Sequence, residues 1–452
     1  MSRPRTAPPL ALAGLLGGLL CGLIGCDPAR LPFRVGGDSA VDTATTPTVD
    51  TGPTGGRDTV VDTDTDHRPP TDEGCEDSGL SLARDVWETL GDELDSDCDG
   101  AINRARLRGL SVHWEAPRTP VALVGERWMI VGALHADGAG GTQASALVLD
   151  RRAEEEGYRE LTLATSRLGA TQAGLELELI EDILVGAMGG RDVEGRRIVG
   201  HSWDPASGAP PSALISRHGG SGDYLEVDMA ANVDRWITVG CTPTSLDIMS
   251  GVIPPPDATG LATPQASFTL EPSDADFTAC FAEVDEQRAW ATACGGTGCQ
   301  TWAVDRGGTT RVDRWVDQAF RFVDAPGRWI VGSEGAGERL TALYFPGSAA
   351  EEQALPRVFA DQAIRSASAA WLDDGGDAVM AIAGTIPIIT GYDVLLALRW
   401  PDGRELTLPV VEGVLDAEVS VSALGDTLLV AVVITEAKGT ALRWATYRLV
   451  SD

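Results

Sequence analysis

Lysine is almost missing from this sequence. Lys438 is the single one, and 35 basic residues in all face 67 acidic ones, for a formal net charge of −32. Such a chain repels phosphate backbones and anionic headgroups alike, which excludes nucleic acid as a partner. Long apolar runs are scarce as well: after Cys26 no segment approaches the ~20 apolar residues of a spanning helix. Histidine is rare, and His67, His113, His135, His201 and His218 show neither H-E-x-x-H nor H-x-H spacing. The usual zinc-hydrolase patterns are therefore absent, and the five read as surface or satisfied loop residues.

Catalytic signatures are equally thin. No G-x-G-x-x-G opens a helical pattern, since GGRDVEG and CGGTGC lie between strand-like runs. Gly200-His201-Ser202-Trp203-Asp204 begins like a nucleophile elbow, but Asp204 stands where the second glycine belongs and the setting is a hairpin. With no catalytic constellation, the expectation is a chain that is not an enzyme.

Among the features that are present, the N-terminus comes first. Arg3 and Arg5 precede a short, glycine-rich apolar run that ends in Leu23-Ile24-Gly25-Cys26. A basic start and an h-region of this length mark an export signal rather than a membrane anchor. The last four residues resemble the bacterial lipobox, which implies removal of residues 1–25 and a diacylglyceryl group on Cys26. At roughly 0.8 kcal/mol per buried methylene, two or three acyl chains hold a protein stably on a membrane. The mature chain is thus expected in the cell envelope, tethered to a bacterial membrane and facing the periplasm or cell surface. Asp27 resembles the enteric inner-membrane retention signal.

Residues 26–74 follow as the lipidated cysteine and a tract of Asp, Thr, Pro, Gly and Val with no aromatic after Phe33. Too little apolar surface is available there to offset the entropy of ordering, so a disordered tether is expected. Residues 75–106 form a third segment with a different kind of acidity. Asp95, Asp97 and Asp99 occupy positions 1, 3 and 5 of a loop, Gly100 position 6 and Asn103 position 9, as in an EF-hand, but Arg106 replaces the closing glutamate. The stretch CEDSGLSLARDVWETLGDELDSDCDGAIN resembles the Cys/Asp-rich metal-binding motif of bacterial surface proteins and lipoproteins. Cys75, Glu76, Asp77 and Glu88 match its early part, and Gly91, Asp92, Leu94, Asp95, Asp97, Cys98, Asp99 and Gly100 its core; Leu90 stands where that family usually has a cysteine. That departure leaves Cys75 and Cys98 to pair with each other. The resemblance implies a cation held by oxygens, Ca²⁺ before Zn²⁺ or copper, with Asp92, Asp95, Asp97, Asp99 and Asn103 as ligands. Disorder around a structural disulfide is the alternative for a segment that carries nine acids against one arginine between Cys75 and Gly100.

Six cysteines after Cys26 suit an oxidising compartment. Spacing suggests Cys75–Cys98, Cys241–Cys280 and Cys294–Cys299, although six cysteines allow 15 pairings.

Residues 107–452 change texture again, to short apolar runs between Gly, Asp, Pro and Ser turns, which reads as all-β. The runs RWMIVG, DILVG, RWITVG, RAWATAC, RWIVG, AVMAIAG and TLLVAVV recur. Aligned on Gly132, Gly186, Gly240, Cys294, Gly332, Gly384 and Val433, they are separated by steps of 54, 54, 54, 38, 52 and 49 residues. A repeat of about 50 residues is the size of a four-stranded propeller blade, so the expected fold is a seven-bladed β-propeller. Six or eight blades, or paired β-sandwiches, are the alternatives. The 38-residue step predicts a blade lacking a strand or an anchor displaced by several residues. Trp128, Trp236, Trp290 and Trp329 fall at equivalent positions and are expected in the core. No WD, kelch or calcium-cage signature recurs. The functional expectation is a non-catalytic binding or scaffold propeller with a protein or glycan partner; the alternative is a propeller hydrolase or lyase with its site in the central channel.

Overall fold

A computed structural model describes residues 88–90, 107–109 and 114–449, the last with breaks at loops, of which 345–363 is the longest. All of these belong to the second of two units, Arg68–Asp452. Every described element is a strand. Short β1 (Glu88–Leu90) and β2 (Arg108–Gly109) precede a series of sheets, each built from consecutive antiparallel strands.

The first sheet comprises β3 (Glu115–Val124), β4 (Trp128–Ala136), β5 (Thr142–Asp150) and β6 (Tyr158–Ser166). The second comprises β7 (Gly174–Ile180), β8 (Ile183–Asp192), β9 (Gly195–Trp203) and β10 (Ala213–His218). Next come β11 (Glu226–Ala231), β12 (Trp236–Thr242), β13 (Ser245–Gly251) and β14 (Ala266–Leu270), then β15 (Phe277–Val284), β16 (Ala289–Gly295), β17 (Gly298–Asp305) and β18 (Gly308–Val316). A fifth sheet has three described strands, β19 (Phe320–Asp324), β20 (Trp329–Glu334) and β21 (Arg339–Tyr344). It is followed by β22 (Ser366–Asp374), β23 (Asp377–Ile388), β24 (Gly391–Arg399) and β25 (Glu405–Val414). The last sheet contains β26 (Asp416–Leu424), β27 (Thr427–Glu436) and β28 (Gly439–Leu449), with β1 parallel and β2 antiparallel on the outer edge of β28.

The expectation of an all-β, propeller-like chain is met, and all seven repeat anchors fall on the second strand of their sheets. The reason is burial. β4, β12 and β16 are buried along nearly their whole length because both of their faces pack against neighbouring sheets. A strand covered on both sides reads as a continuous apolar run instead of alternating. Trp128, Trp236 and Trp290 are buried near the start of these strands, as core residues; the side chain of Trp329 lies outside the described residues. Close packing also explains the recurring glycine. A Cβ on Gly132 would lie 2.9 Å from Leu177 Cδ1, and one on Gly186 would lie 2.5 Å from Leu177 Cδ2, so Leu177 of β7 fills the space that both glycines leave open.

The short step has a different cause from the one expected. Between Cys294 and Gly332 lie β17, β18 and β19 in full, with only two to four residues between successive strands. No strand is missing there. Instead, the preceding 54-residue step contains the 14-residue connection between β13 and β14, which this one lacks.

The first strands β3, β7, β11, β15, β19, β22 and β26 each lie against the next, and β26 lies against β3. Being sheet edges, they present backbone N–H groups with no strand to bond them. Side chains of the adjacent first strand serve instead. Cys280 and Ala282 donate to Glu226 Oε2 (3.0 Å) and Asp228 Oδ2 (2.6 Å), Val421 to Ser368 Oγ (3.0 Å), and Ala122 and Val124 to Ser420 and Ser422 Oγ (3.1 and 3.0 Å). Glu226 and Cys280 are 54 residues apart, the period of the sequence repeat.

Candidate functional site

Alternation along the first strands sets the character of the wall they form. In β7 and β11 the residues Leu175, Leu177, Val227 and Met229 are buried, which leaves Glu176, Glu178, Glu226 and Asp228 on the half-buried face. The wall therefore carries carboxylates rather than the Gly, Ala and Val of a structural plug.

One part of this wall is irregular. β3 slips its register on β4 twice between Glu115 and Val121, and both Ala116 (φ 46°) and Thr119 (φ 49°) adopt left-handed backbone. A non-glycine residue there costs on the order of 1–3 kcal/mol, and bulges that store such strain cluster beside binding sites and active sites. Here the bulge turns the Thr119 N–H toward Glu418 Oε2 (2.7 Å) and puts Arg118 within 3.4 Å of Thr142 Oγ1. Burial pulls the Arg118 guanidinium below its ordinary pKa while the nearby Glu418 carboxylate raises it. Arg118, Thr119, Thr142 and exposed Glu418 form the candidate site, and sequence reasoning missed all four.

A serine–histidine contact lies behind it. His135 Nε2 is 2.9 Å from Ser145 Oγ and Nδ1 is 3.0 Å from the Ala136 carbonyl, so Nδ1 carries the proton and Nε2 accepts from the serine. That is the tautomer of a nucleophile–base pair. Trp114, however, stacks on the imidazole at 5.1 Å and donates to Glu160 Oε1, and Ser145 is fully buried. The pair braces β4 against β5. His135 is thus a satisfied histidine, but in a strand rather than a loop. His201 departs further from expectation: its two ring nitrogens have no hydrogen-bond partner among the described residues, it stacks on Trp203 at 5.3 Å, and burial lowers its pKa to about 4. Ser202 beside it is fully buried in β9, so no elbow exists there.

Between the second and third sheets, Arg196 Nε donates to Asp247 Oδ2 (3.1 Å), Arg196 Nη2 to Ser245 (3.2 Å), Tyr224 to Asp247 Oδ2 (2.8 Å) and Thr269 to Asp247 Oδ1 (2.5 Å). Burial first, then the Asp247 charge, pushes the Tyr224 phenol far above its ordinary pKa. A Cβ on Gly219 would fall 2.2 Å from Asp247 Oδ2, so only glycine lets that loop cover the ion pair.

Disulfides join Cys241 to Cys280, across the third and fourth sheets, and Cys294 to Cys299, directly opposite each other on β16 and β17 with Cα atoms 4.0 Å apart. Cys26, Cys75, Cys98 and the ligand set Asp92, Asp95, Asp97, Asp99 and Asn103 lie outside the described residues.

No family model matches this sequence, and no curated protein does. Solved structures with similar folds include a prolyl endopeptidase (14% identity, 72% of this chain and 47% of that one, TM-score 0.41). Others are the β-propeller domain of the Trilobed protease from Pyrococcus furiosus (9%, 74% and 98%, 0.41) and the Trypanosoma rangeli sialidase (10%, 80% and 57%, 0.43). The chain spans about half the length of the prolyl endopeptidase it matches. These neighbours correct one expectation. They are enzymes or parts of enzymes, so a propeller-like fold gives no ground for the expectation that the chain is not an enzyme. At such identities and TM-scores they carry neither a residue nor an activity over to this chain.

Proposed function

We propose that this chain is an exported bacterial envelope protein, lipid-anchored through Cys26, whose seven-bladed propeller is a hydrolase or lyase acting on an extracytoplasmic protein or glycan at the mouth of its central channel. The observation that carries the reading is the strained bulge of β3, which brings Arg118 and Thr119 to Glu418 beside a carboxylate-bearing wall. In this reading Glu418 acts as acid or base and Arg118 orients the substrate. The unbroken succession of first strands from β3 to β26 and back supports a closed ring of seven blades. Assay of the purified full chain against peptide and polysaccharide panels tests the activity. Glu418→Gln is expected to lower turnover at least ~100-fold, the usual contribution of a general acid or base, with the melting temperature unchanged; equal turnover by the variant rejects the assignment.

The acidic segment adds a second proposal, that Asp92, Asp95, Asp97, Asp99 and Asn103 hold Ca²⁺. Support comes from the alternate spacing of the oxygens, and from β1 and β2, which pin residues 90 and 108 to the same edge of β28. Isothermal titration of the full chain with Ca²⁺ is expected to show one site that Asp95→Asn/Asp97→Asn removes; no heat at millimolar calcium rejects it.

A further inference from the structure

The Cys241–Cys280 disulfide does not stand alone. Cys241 lies on β12 and Cys280 on β15, both fully or almost fully buried, while Glu226 on β11 is the direct cross-strand neighbour of Cys241. The Glu226 carboxylate accepts from the Cys280 amide at 3.0 Å, which fixes it over the bond. One ligand atom from each of Glu226, Cys241 and Cys280 can be chosen so that all three lie within 4.8 Å of one another. Among the described residues no other group of His, Cys, Asp and Glu meets that condition.

We infer that this seam is a second, redox-gated metal site: once the disulfide is reduced, Cys241, Cys280 and Glu226 bind Zn²⁺ or a similar thiophilic divalent ion. In the oxidised chain the sulfurs share their electrons in the S–S bond and are poor ligands. A dithiol reductant, such as a thiol–disulfide oxidoreductase, supplies two electrons and two protons, becomes a disulfide itself and leaves two cysteine thiols. Zn²⁺ then displaces both thiol protons and is held by two thiolates and one carboxylate, with the fourth tetrahedral position open to water. Two soft sulfurs select zinc over calcium or magnesium. The ion bridges β12 and β15 as the disulfide does, so either state of the seam ties the third sheet to the fourth. The Cys294–Cys299 pair has no such third ligand within reach among the described residues.

Cobalt substitution reads the site directly. The full chain, its Cys241→Ser/Cys280→Ser variant and its Glu226→Gln variant are reduced with a phosphine under argon and titrated with Co²⁺. The remaining thiols are common to all three, so differences report on this seam. The expected result is one equivalent more cobalt in the reduced wild type than in the double serine variant, with a thiolate-to-cobalt charge-transfer band that the double variant lacks. Glu226→Gln should shift the titration to higher cobalt, and the oxidised wild type should match the double variant. Zn²⁺ should also raise the melting temperature of the reduced wild type and leave that of the double variant in place. Equal cobalt in wild type and double variant overturns the inference, as does equal uptake by oxidised and reduced wild type. A reduced chain that unfolds and takes up no metal overturns it too.

Discussion

Two neighbouring seams between the sheets treat buried polar groups in opposite ways. Between the second and third sheets, Asp247 has no exposure, yet it receives Arg196, Tyr224 and Thr269, and Arg196 reaches Ser245 as well. Between the first and second sheets, Trp128 Nε1, Trp203 Nε1 and both nitrogens of His201 lie buried without a partner among the described residues. The first arrangement draws strength from charge only while it is complete. The second keeps a titratable group neutral, and its weakness appears when protons are added. Buried polarity therefore stabilises or endangers a seam according to whether its partners are supplied.

The most disruptive way to break the contrast is Asp247→Ala, which strands the Arg196 guanidinium. A loss of roughly 3–5 kcal/mol is expected in urea unfolding. Replacing both partners, Arg196→Met with Asp247→Leu, should recover most of it, since the charge and its counter-charge leave together.

Acid probes the other seam. An unfolded His201 takes a proton below its ordinary pKa of 6.5, whereas the folded one resists until about 4. The unfolded state therefore binds more protons across that window, and stability falls as pH drops from 6.5 towards 4. At 1.36 kcal/mol per unit the shift corresponds to about 3 kcal/mol. Comparison of wild type with His201→Leu in unfolding at neutral pH and near pH 4 isolates this share; equal pH dependence in the two chains contradicts it. Smallest is Tyr224→Phe, which removes one of the donors to Asp247 and should cost about 1 kcal/mol in the same unfolding measurement.

How much of this was legible before the structure depends on what each residue sees. The repeat was readable because β4, β12 and β16 are covered on both faces, and a doubly buried strand writes its burial as an unbroken apolar run. Step length was a poorer guide. It mixes strands with connections, so the short connections from β16 to β20 looked like a missing strand. The seam residues were opaque for another reason: Arg196 and Asp247 are 51 positions apart and each looks like any surface charge in its own segment. A faint signal existed nonetheless. Partners across a seam lie about one repeat apart, as Arg196 and Asp247 or Glu226 and Cys280 do, so polar residues matched at that period mark candidate contacts. His135 and His201 gave no such clue, because a single histidine in an apolar run looks alike whether its neighbour is Ser145 or nothing. The bulge of β3 was hidden as well, since neither Ala116 nor Thr119 favours left-handed backbone and only tertiary packing holds them there.

The placement of β1 and β2 has a consequence for how the molecule is made. Glu88 pairs with Tyr447 and Arg108 with Trp444, partners separated by well over 300 positions. Synthesis delivers the N-terminal part first, so these two strands wait unpaired while every intervening sheet emerges. Long-range pairings of this kind are the slow ones, because the loop they close must be ordered before any contact rewards it. Completion of the last sheet is thus timed by the arrival of β28, and a chain truncated before Trp444 would leave β1 and β2 without a partner strand.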